Sequence, residues 1–93
     1  MITMEDIIDK MFEEKEDFDE YMMMYKHCED PVRKDIFYHI AEEESQHYFK
    51  LWGIVFKDVK DEHMTEKERG FKSYATEVYE EMVECLKKKT AAK

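Results

Sequence analysis

Glycine, proline and cysteine are scarce in this sequence of 93 residues, which contains two, one and two of them, respectively. This scarcity, with eight Met, many Glu and Lys and few strand-rich runs, favours an all-α fold. Cys28 and Cys85 do not form a Cys-x-x-Cys pair, and two thiols cannot build a four-thiolate iron site or a zinc ribbon in one chain. The composition therefore predicts helices and excludes the thiolate-rich metal sites.

Long apolar runs and basic patches are missing as well. No apolar stretch approaches the ~18 residues of a membrane span, and the charged N-terminus lacks the pattern of a signal peptide. The two cysteines are then expected to be reduced thiols in a cytoplasmic protein. The net charge of −9, from 24 acidic and 15 basic residues, argues against nucleic acid as a partner, because phosphate binding needs a basic patch.

Capping residues indicate a helical hairpin in the first two thirds of the chain. Thr3 is expected to cap helix 1, residues ~4–28. Asp30-Pro31 suits the start of helix 2, residues ~31–59, with Asp30 as the cap and Pro31 in the first helical position. The link between the two helices is short, so they are expected to be antiparallel neighbours.

A third helix completes the one small domain that this length predicts. Thr65 is expected to cap helix 3, residues ~66–88, and residues 90–93 to form a loose tail. Gly53, inside helix 2, is expected to allow a close contact or a slight bend. The apolar face of helix 3 is expected to comprise Phe71, Tyr74, Val78, Met82 and Leu86.

Helices 1 and 2 each carry a stripe with the three- and four-residue spacing of a buried helix face. The stripe of helix 1 is Ile7, Met11, Glu14, Phe18, Tyr21 and Tyr25. The stripe of helix 2 is Phe37, Ile40, Glu44, His47, Leu51 and Val55. Two acids and an imidazole interrupt these stripes, and such groups are costly to bury unless they are paired or bind a metal.

The three interrupting side chains are expected at one height in the hairpin. At ~1.5 Å per helical residue, Glu14 lies ~24 Å before the turn at Asp30. Glu44 and His47 lie ~21 and ~26 Å after that turn. Because these two are three residues apart, they share a helix face and can hold one ion together, with Glu14 opposite. The spacing predicts a metal site in a dry pocket.

Other interpretations of the same residues remain open at this point. Glu14 and His47 can form a buried ion pair without any metal. A different helix register would turn these groups towards water. Glu43, four residues before His47, is a rival ligand, although it lies off the stripe.

Carboxylates and imidazole are hard to borderline ligands, which suit Fe(II), Mn(II) or Zn(II). One chain offers half of the ligand set of di-iron carboxylate bundles, in which two helices each give a Glu and two give Glu-x-x-His. Two copies around a two-fold axis would supply the whole set. We therefore expect a homodimer whose hairpins form a four-helix bundle, with helix 3 packing across the dimer or mediating higher assembly.

The run AEEESQH at 41–47 resembles the Glu-x-x-His segment of the ferritin-like and rubrerythrin-like superfamily. It is most similar to the encapsulated ferritins, short half-ferritins that build a ferroxidase centre between two subunits. In that family a Glu precedes an Asp-Pro turn and Glu-x-x-His follows it. This chain has these elements in the same order as Glu14, Asp30-Pro31, Glu44 and His47, and the likeness covers roughly residues 5–60.

The resemblance implies that Glu44 bridges two irons and that Glu14 and His47 complete their coordination. It places Tyr21 near the metals, as a candidate catalytic residue. Glu13 and Glu16 resemble acids that line the path by which iron enters, although the acidic run 13–20 also suits a solvated face. An encapsulin shell is an implied partner and location, yet residues 87–93 contain no recognisable shell-docking peptide.

The leading expectation is a ferroxidase that oxidises Fe(II) to Fe(III) for iron storage or detoxification, with manganese or zinc as alternative metals. One alternative is a rubrerythrin-like scavenger of peroxide or oxygen, which would need a separate reductant because no four-Cys domain is present. The other is a metal-free helical adaptor that dimerises through the stripes.

Overall fold

Three α-helices and a 3₁₀ turn make up the computed structural model, which describes residues 1–57 and 59–91. Helix α1 spans Met4–His27, α2 Pro31–Phe56 and α3 Glu66–Ala91, and the 3₁₀ turn Asp61–His63 precedes α3. No strand occurs in the described residues, so the predicted all-α class is confirmed. None of the described helices has the length and apolar character of a transmembrane segment.

Each helix begins at the capping residue that the sequence predicts. The Thr3 hydroxyl accepts a hydrogen bond from the Asp6 N–H at 3.2 Å, and the Asp6 carboxylate accepts one from the Thr3 N–H at 2.9 Å. Asp30 accepts from the N–H of Val32 at 3.1 Å. Thr65 accepts from the Glu68 N–H at 3.1 Å. These contacts satisfy backbone donors that a helix start would otherwise leave unpaired.

The helix ends differ from the sequence prediction in two places. Helix α2 ends at Phe56 rather than near residue 59, and the Val59 N–H donates to the Phe56 carbonyl in a turn. Helix α3 continues to Ala91, so the predicted loose tail is wrong at positions 90 and 91. No Gly or Pro follows Lys88 to end that helix. Residues 92 and 93 lie outside the described residues.

The first two helices form the predicted antiparallel hairpin, and the third packs on it. The Tyr25 and Tyr38 rings, with centroids 5.5 Å apart, lie near the turn, and Glu14 meets His47 further along. Helix α3 lies mainly against α2 of its own chain, where the Trp52 ring N–H donates to the Thr76 hydroxyl at 3.1 Å. One face of this helix therefore packs within its own chain, and its packing across a dimer stays a prediction.

The buried face of the hairpin is rotated relative to the predicted stripes. In α1, Met11, Glu14 and Phe18 are buried as predicted, with Ile8 and Met22 buried at the two ends. In α2, only Val55 of the predicted stripe is buried. The buried positions of α2 are Tyr38, Ala41, Ser45, Tyr48, Val55 and Phe56. Because α3 covers the neighbouring side of α2, most of the predicted stripe becomes the open edge of the core.

Two smaller expectations, a buried Tyr74 and a close contact at Gly53, also fail. Tyr74 on α3 is 55% exposed, although its ring lies 5.5 Å from that of Phe12, and the buried positions of this helix include Ala75, Val78 and Met82. Gly53 makes no close approach, because a Cβ atom placed on it would meet nothing within 4 Å.

The flat shape of the molecule leaves one side of the hairpin uncovered. The Cα atoms span 48 × 29 × 17 Å, and the shortest dimension leaves room for about two layers of helix. Ile36 and Ile54 of α2 are 51% and 69% exposed. The open side of α2 is therefore apolar at both ends.

Replacing Tyr48 by phenylalanine should lower the free energy of unfolding by about 1 kcal/mol. Tyr48 is fully buried, and its hydroxyl donates a 2.6 Å hydrogen bond to the Ala75 carbonyl, which ties α2 to α3. Urea denaturation measures the change. Tyr74→Phe is the matched control, since Tyr74 is mostly exposed. This variant should change the free energy of unfolding by no more than about 0.5 kcal/mol. Equal losses in the two variants would contradict the assignment.

Candidate metal centre

Glu14, Glu44 and His47 converge near the middle of the hairpin. Each offers one ligand atom, and these three atoms all lie within 4.8 Å of one another. Within the part of the chain that the structure describes, no other group of three or more His, Cys, Asp or Glu side chains is placed to hold a metal ion. The three residues therefore lie at one height of the hairpin, as the helix rise predicts.

Glu14 is the centre of this group, with one partner at each oxygen. Its Oε2 lies 3.4 Å from Nδ1 of His47, and its Oε1 lies 3.8 Å from Nζ of Lys10. The carboxyl group of Glu44 lies close by, with a ligand oxygen within 4.8 Å of one of Glu14. Since α1 supplies Glu14 and α2 supplies Glu44 and His47, the group depends on the packing of the two helices.

Burial decreases sharply across the group. Glu14 is buried, Glu44 is half-buried, and the His47 side chain is 53% exposed. One chain alone does not enclose the group, because His47 lies on the uncovered side of α2; a dry pocket formed between two chains stays a prediction. The group is half-open: its carboxylates lie in the hairpin seam and its imidazole lies at the surface.

The pKa values of the two neighbouring carboxyl groups are shifted in opposite directions. The hydrogen bond to Glu14, then burial and the negative charges of Glu14 and Asp17, raise the pKa of Glu44 to about 7. Burial alone would raise the pKa of Glu14, but hydrogen bonds with Glu44 and His47 and the nearby positive charges outweigh burial and lower it. Below about pH 7 the pair therefore holds one proton between two carboxyl groups, with Glu44 as its main carrier.

The stability of the metal-free protein should fall as the pH rises from about 4.5 to about 7. In this window folded Glu44 keeps a proton that the unfolded chain, in which the glutamate pKa has its ordinary value of 4.5, has released, so deprotonation favours unfolding. Glu14, whose pKa is lowered, has the opposite effect, and only below its unfolded pKa of 4.5. Glu44→Gln should remove this slope and raise the free energy of unfolding at pH 8 by about 1 kcal/mol after solvent screening.

Chemical denaturation at pH 5 and pH 8 with a chelator present measures this effect. Glu43→Gln is the matched control, because the side chain of Glu43 is exposed and lies outside the three-residue group. A slope that survives in Glu44→Gln, or disappears in Glu43→Gln, would contradict the shared proton.

The other residues predicted for the site lie outside the three-residue group. Tyr21 is half-buried on α1, with its ring 6.4 Å from that of Phe37. Glu13 is exposed and pairs with Lys10 at 3.3 Å, and Glu16 is exposed as well. None of these residues, nor the rival ligand Glu43, belongs to the group whose ligand atoms converge.

Two features of the site were missed in the sequence. Lys10 contacts Glu13 and Glu14, and its spacing of three and four residues from them was a sufficient signal. The second is the apolar surface around His47. Ile36, Ile40, Leu51 and Ile54 lie on the same side of α2 as His47, and all four are half-buried or exposed. Helical spacing shows that they share a face, but not that this face stays uncovered.

The donor set of this group fits a first-row divalent metal. Two carboxylates and one imidazole suit Fe(II), Mn(II) or Zn(II) better than Cu(I), which prefers sulfur ligands. Three donors leave the coordination of one ion incomplete and are too few for two ions. The half-exposed His47 and its apolar surroundings lie where further donors from another molecule could approach.

Neither a protein-family model, nor a curated protein, nor a solved structure matches this chain. The likeness to encapsulated ferritins therefore stays a prediction. A function is therefore inferred from the contacts, burial and charge of Glu14, Glu44 and His47.

Proposed function

We propose that this protein is a ferritin-like ferroxidase in which two chains complete one di-iron centre. The observation that carries the proposal is the convergence of Glu14, Glu44 and His47, with ligand atoms within 4.8 Å of one another. A carboxyl pair that shares a proton is costly for the metal-free fold and favourable once a cation neutralises it. Such pairing supports a metal-binding role over a purely structural one.

A second copy of the chain supplies what one copy lacks. One chain has three donors, and the two-fold related copy adds three more, giving the four carboxylates and two imidazoles of a di-iron bundle. The apolar residues Ile36 and Ile54, on the same side of α2 as His47, favour covering this side with another apolar surface. The two hairpins then form the four-helix bundle, and α3 of each chain remains on the outside.

Fe(II) and dioxygen are the substrates of the proposed reaction. Two Fe(II) ions each lose one electron, and O₂ takes up both electrons and two protons to give H₂O₂ and two Fe(III). The carboxylates of Glu14 and Glu44 bring negative charge, which favours the more highly charged Fe(III). Glu44 gives up its proton when iron binds. The chain itself has no shell, so storage of a mineral would need a larger assembly or an encapsulin partner.

One structural observation favours a different function. The exposed Ile36 and Ile54 would also serve a metal-free adaptor that dimerises through α2. In that case Glu14 and His47 form only an ion pair, and this pairing accounts for the 3.4 Å contact between them. The two functions differ in whether the dimer binds iron.

Anaerobic titration of the protein with Fe(II) tests the proposal. We expect saturation at one Fe(II) per chain, which is two per dimer, followed in air by oxidation with one O₂ consumed per two Fe(II). If peroxide oxidises the bound iron much faster than oxygen, the rubrerythrin-like scavenger is favoured instead. A dimer without saturable iron binding would leave only the adaptor.

A further inference from the structure

Lys10 places a positive charge beside the candidate metal ligands. Its Nζ lies 3.3 Å from Oε2 of Glu13 and 3.8 Å from Oε1 of Glu14. Glu13 is exposed and Glu14 is buried, so the ammonium group lies beside both the surface and the interior carboxylate. The side chain of Lys10 is itself 58% exposed and can move away into solvent.

The position of Lys10 matters because its ammonium group lies beside one of the two oxygens of Glu14. Oε2 lies beside His47 and Oε1 lies beside Lys10. A metal ion that binds Oε1 of Glu14 therefore competes with the nearby ammonium group of Lys10 for the negative charge of this carboxylate. An ammonium group that stays within a few ångströms also repels the incoming cation, in proportion to the charge of that cation.

We propose that Lys10 is a built-in competitor of metal ions, which limits the affinity of the Glu14–Glu44–His47 site and weakens binding of trivalent ions more than of divalent ones. This inference depends on the proposed metal site. In a ferroxidase, such a charge would favour release of Fe(III) after oxidation. An exposed ion pair of this kind contributes little to stability, so its main effect is on the ligands beside it.

Metal titration of Lys10→Met tests the proposal. The probes are Co(II), as a divalent ion that does not undergo the reaction, and Tb(III), as a trivalent ion. We expect the variant to bind Co(II) about fivefold and Tb(III) about tenfold more tightly than the wild type at low salt. Both ratios should approach one at about 1 M salt, where the Debye length is about 3 Å.

Two further variants separate the charge from other effects. Lys10→Arg keeps the positive charge and should bind both ions as the wild type does. Lys15→Met is the matched control: Lys15 pairs with Asp19 four residues along the same helix and does not contact the three ligands. It should leave both affinities unchanged.

Unchanged or weaker binding by Lys10→Met, or the same ratio for Co(II) and Tb(III), would overturn the role of Lys10. Those outcomes leave the proposed function intact as long as the wild type binds Co(II). If neither the wild type nor Lys10→Met binds Co(II), both the competitor role and the metal site are wrong.

Discussion

Glu44→Ala should abolish saturable Fe(II) binding and slow Fe(II) oxidation at least ~100-fold, since removing a charged group that stabilises the reacting centre has effects of this order. Glu44 offers one of the three converging ligand atoms, and its carboxylate lies beside that of Glu14. Without it, each chain keeps only Glu14 and His47. Anaerobic Fe(II) titration and the initial rate of oxidation in air measure the two effects.

Glu43→Ala is the control for that experiment. It removes the same chemical group from the neighbouring residue, whose side chain is exposed and outside the group of convergent ligand atoms. We expect binding and oxidation close to those of the wild type. If Glu43→Ala causes the larger loss, the register of the site is wrong and Glu43 is the ligand.

Fe(II) should strengthen dimerisation at least ~100-fold in the absence of oxygen. If the site is complete only between two chains, each bound ion favours the dimer, and an ion at ~100 times its dissociation constant contributes ~2.7 kcal/mol. Sedimentation with and without Fe(II) should show the 11.4 kDa chain shift towards twice its mass. An unchanged monomer–dimer equilibrium would contradict a shared site.

A surface variant tests which side of the hairpin meets the partner. Ile54→Glu adds a charge to the uncovered side of α2, and because Ile54 is 69% exposed the fold should tolerate it. We expect this variant to dimerise weakly even with Fe(II). Met23→Glu is the control, since Met23 is 63% exposed but lies on the opposite side of α1 from Glu14. Equal weakening by both variants would contradict the proposed interface.

The local features of this fold were predictable because short-range contacts determine them. Thr3, Asp30 and Thr65 each accept a hydrogen bond from a backbone N–H two or three residues ahead, so the capping signal lies within a few letters of sequence. The height of the site was predictable for a similar reason. The rise of a helix is constant, and a short link fixes where the second helix begins.

The end of α3 and the ion pair between Lys10 and Glu14 were also predictable from the sequence. Nothing in the sequence of residues 89–91 breaks a helix, so the sequence is compatible with an end beyond the predicted Lys88. Lys10 precedes Glu14 by one helical turn, where an ion pair is common.

The chain by itself determined three helices, their starts, and a meeting of Glu14, Glu44 and His47 at one level of a hairpin. Only the tertiary structure decided which side of α2 is covered, and hence that Tyr48 is buried while His47 is exposed. The physical reason is that α2 is apolar on more than one side. The periodicity of α2 shows which residues share a face, whereas the packing of α3 determines which face is buried.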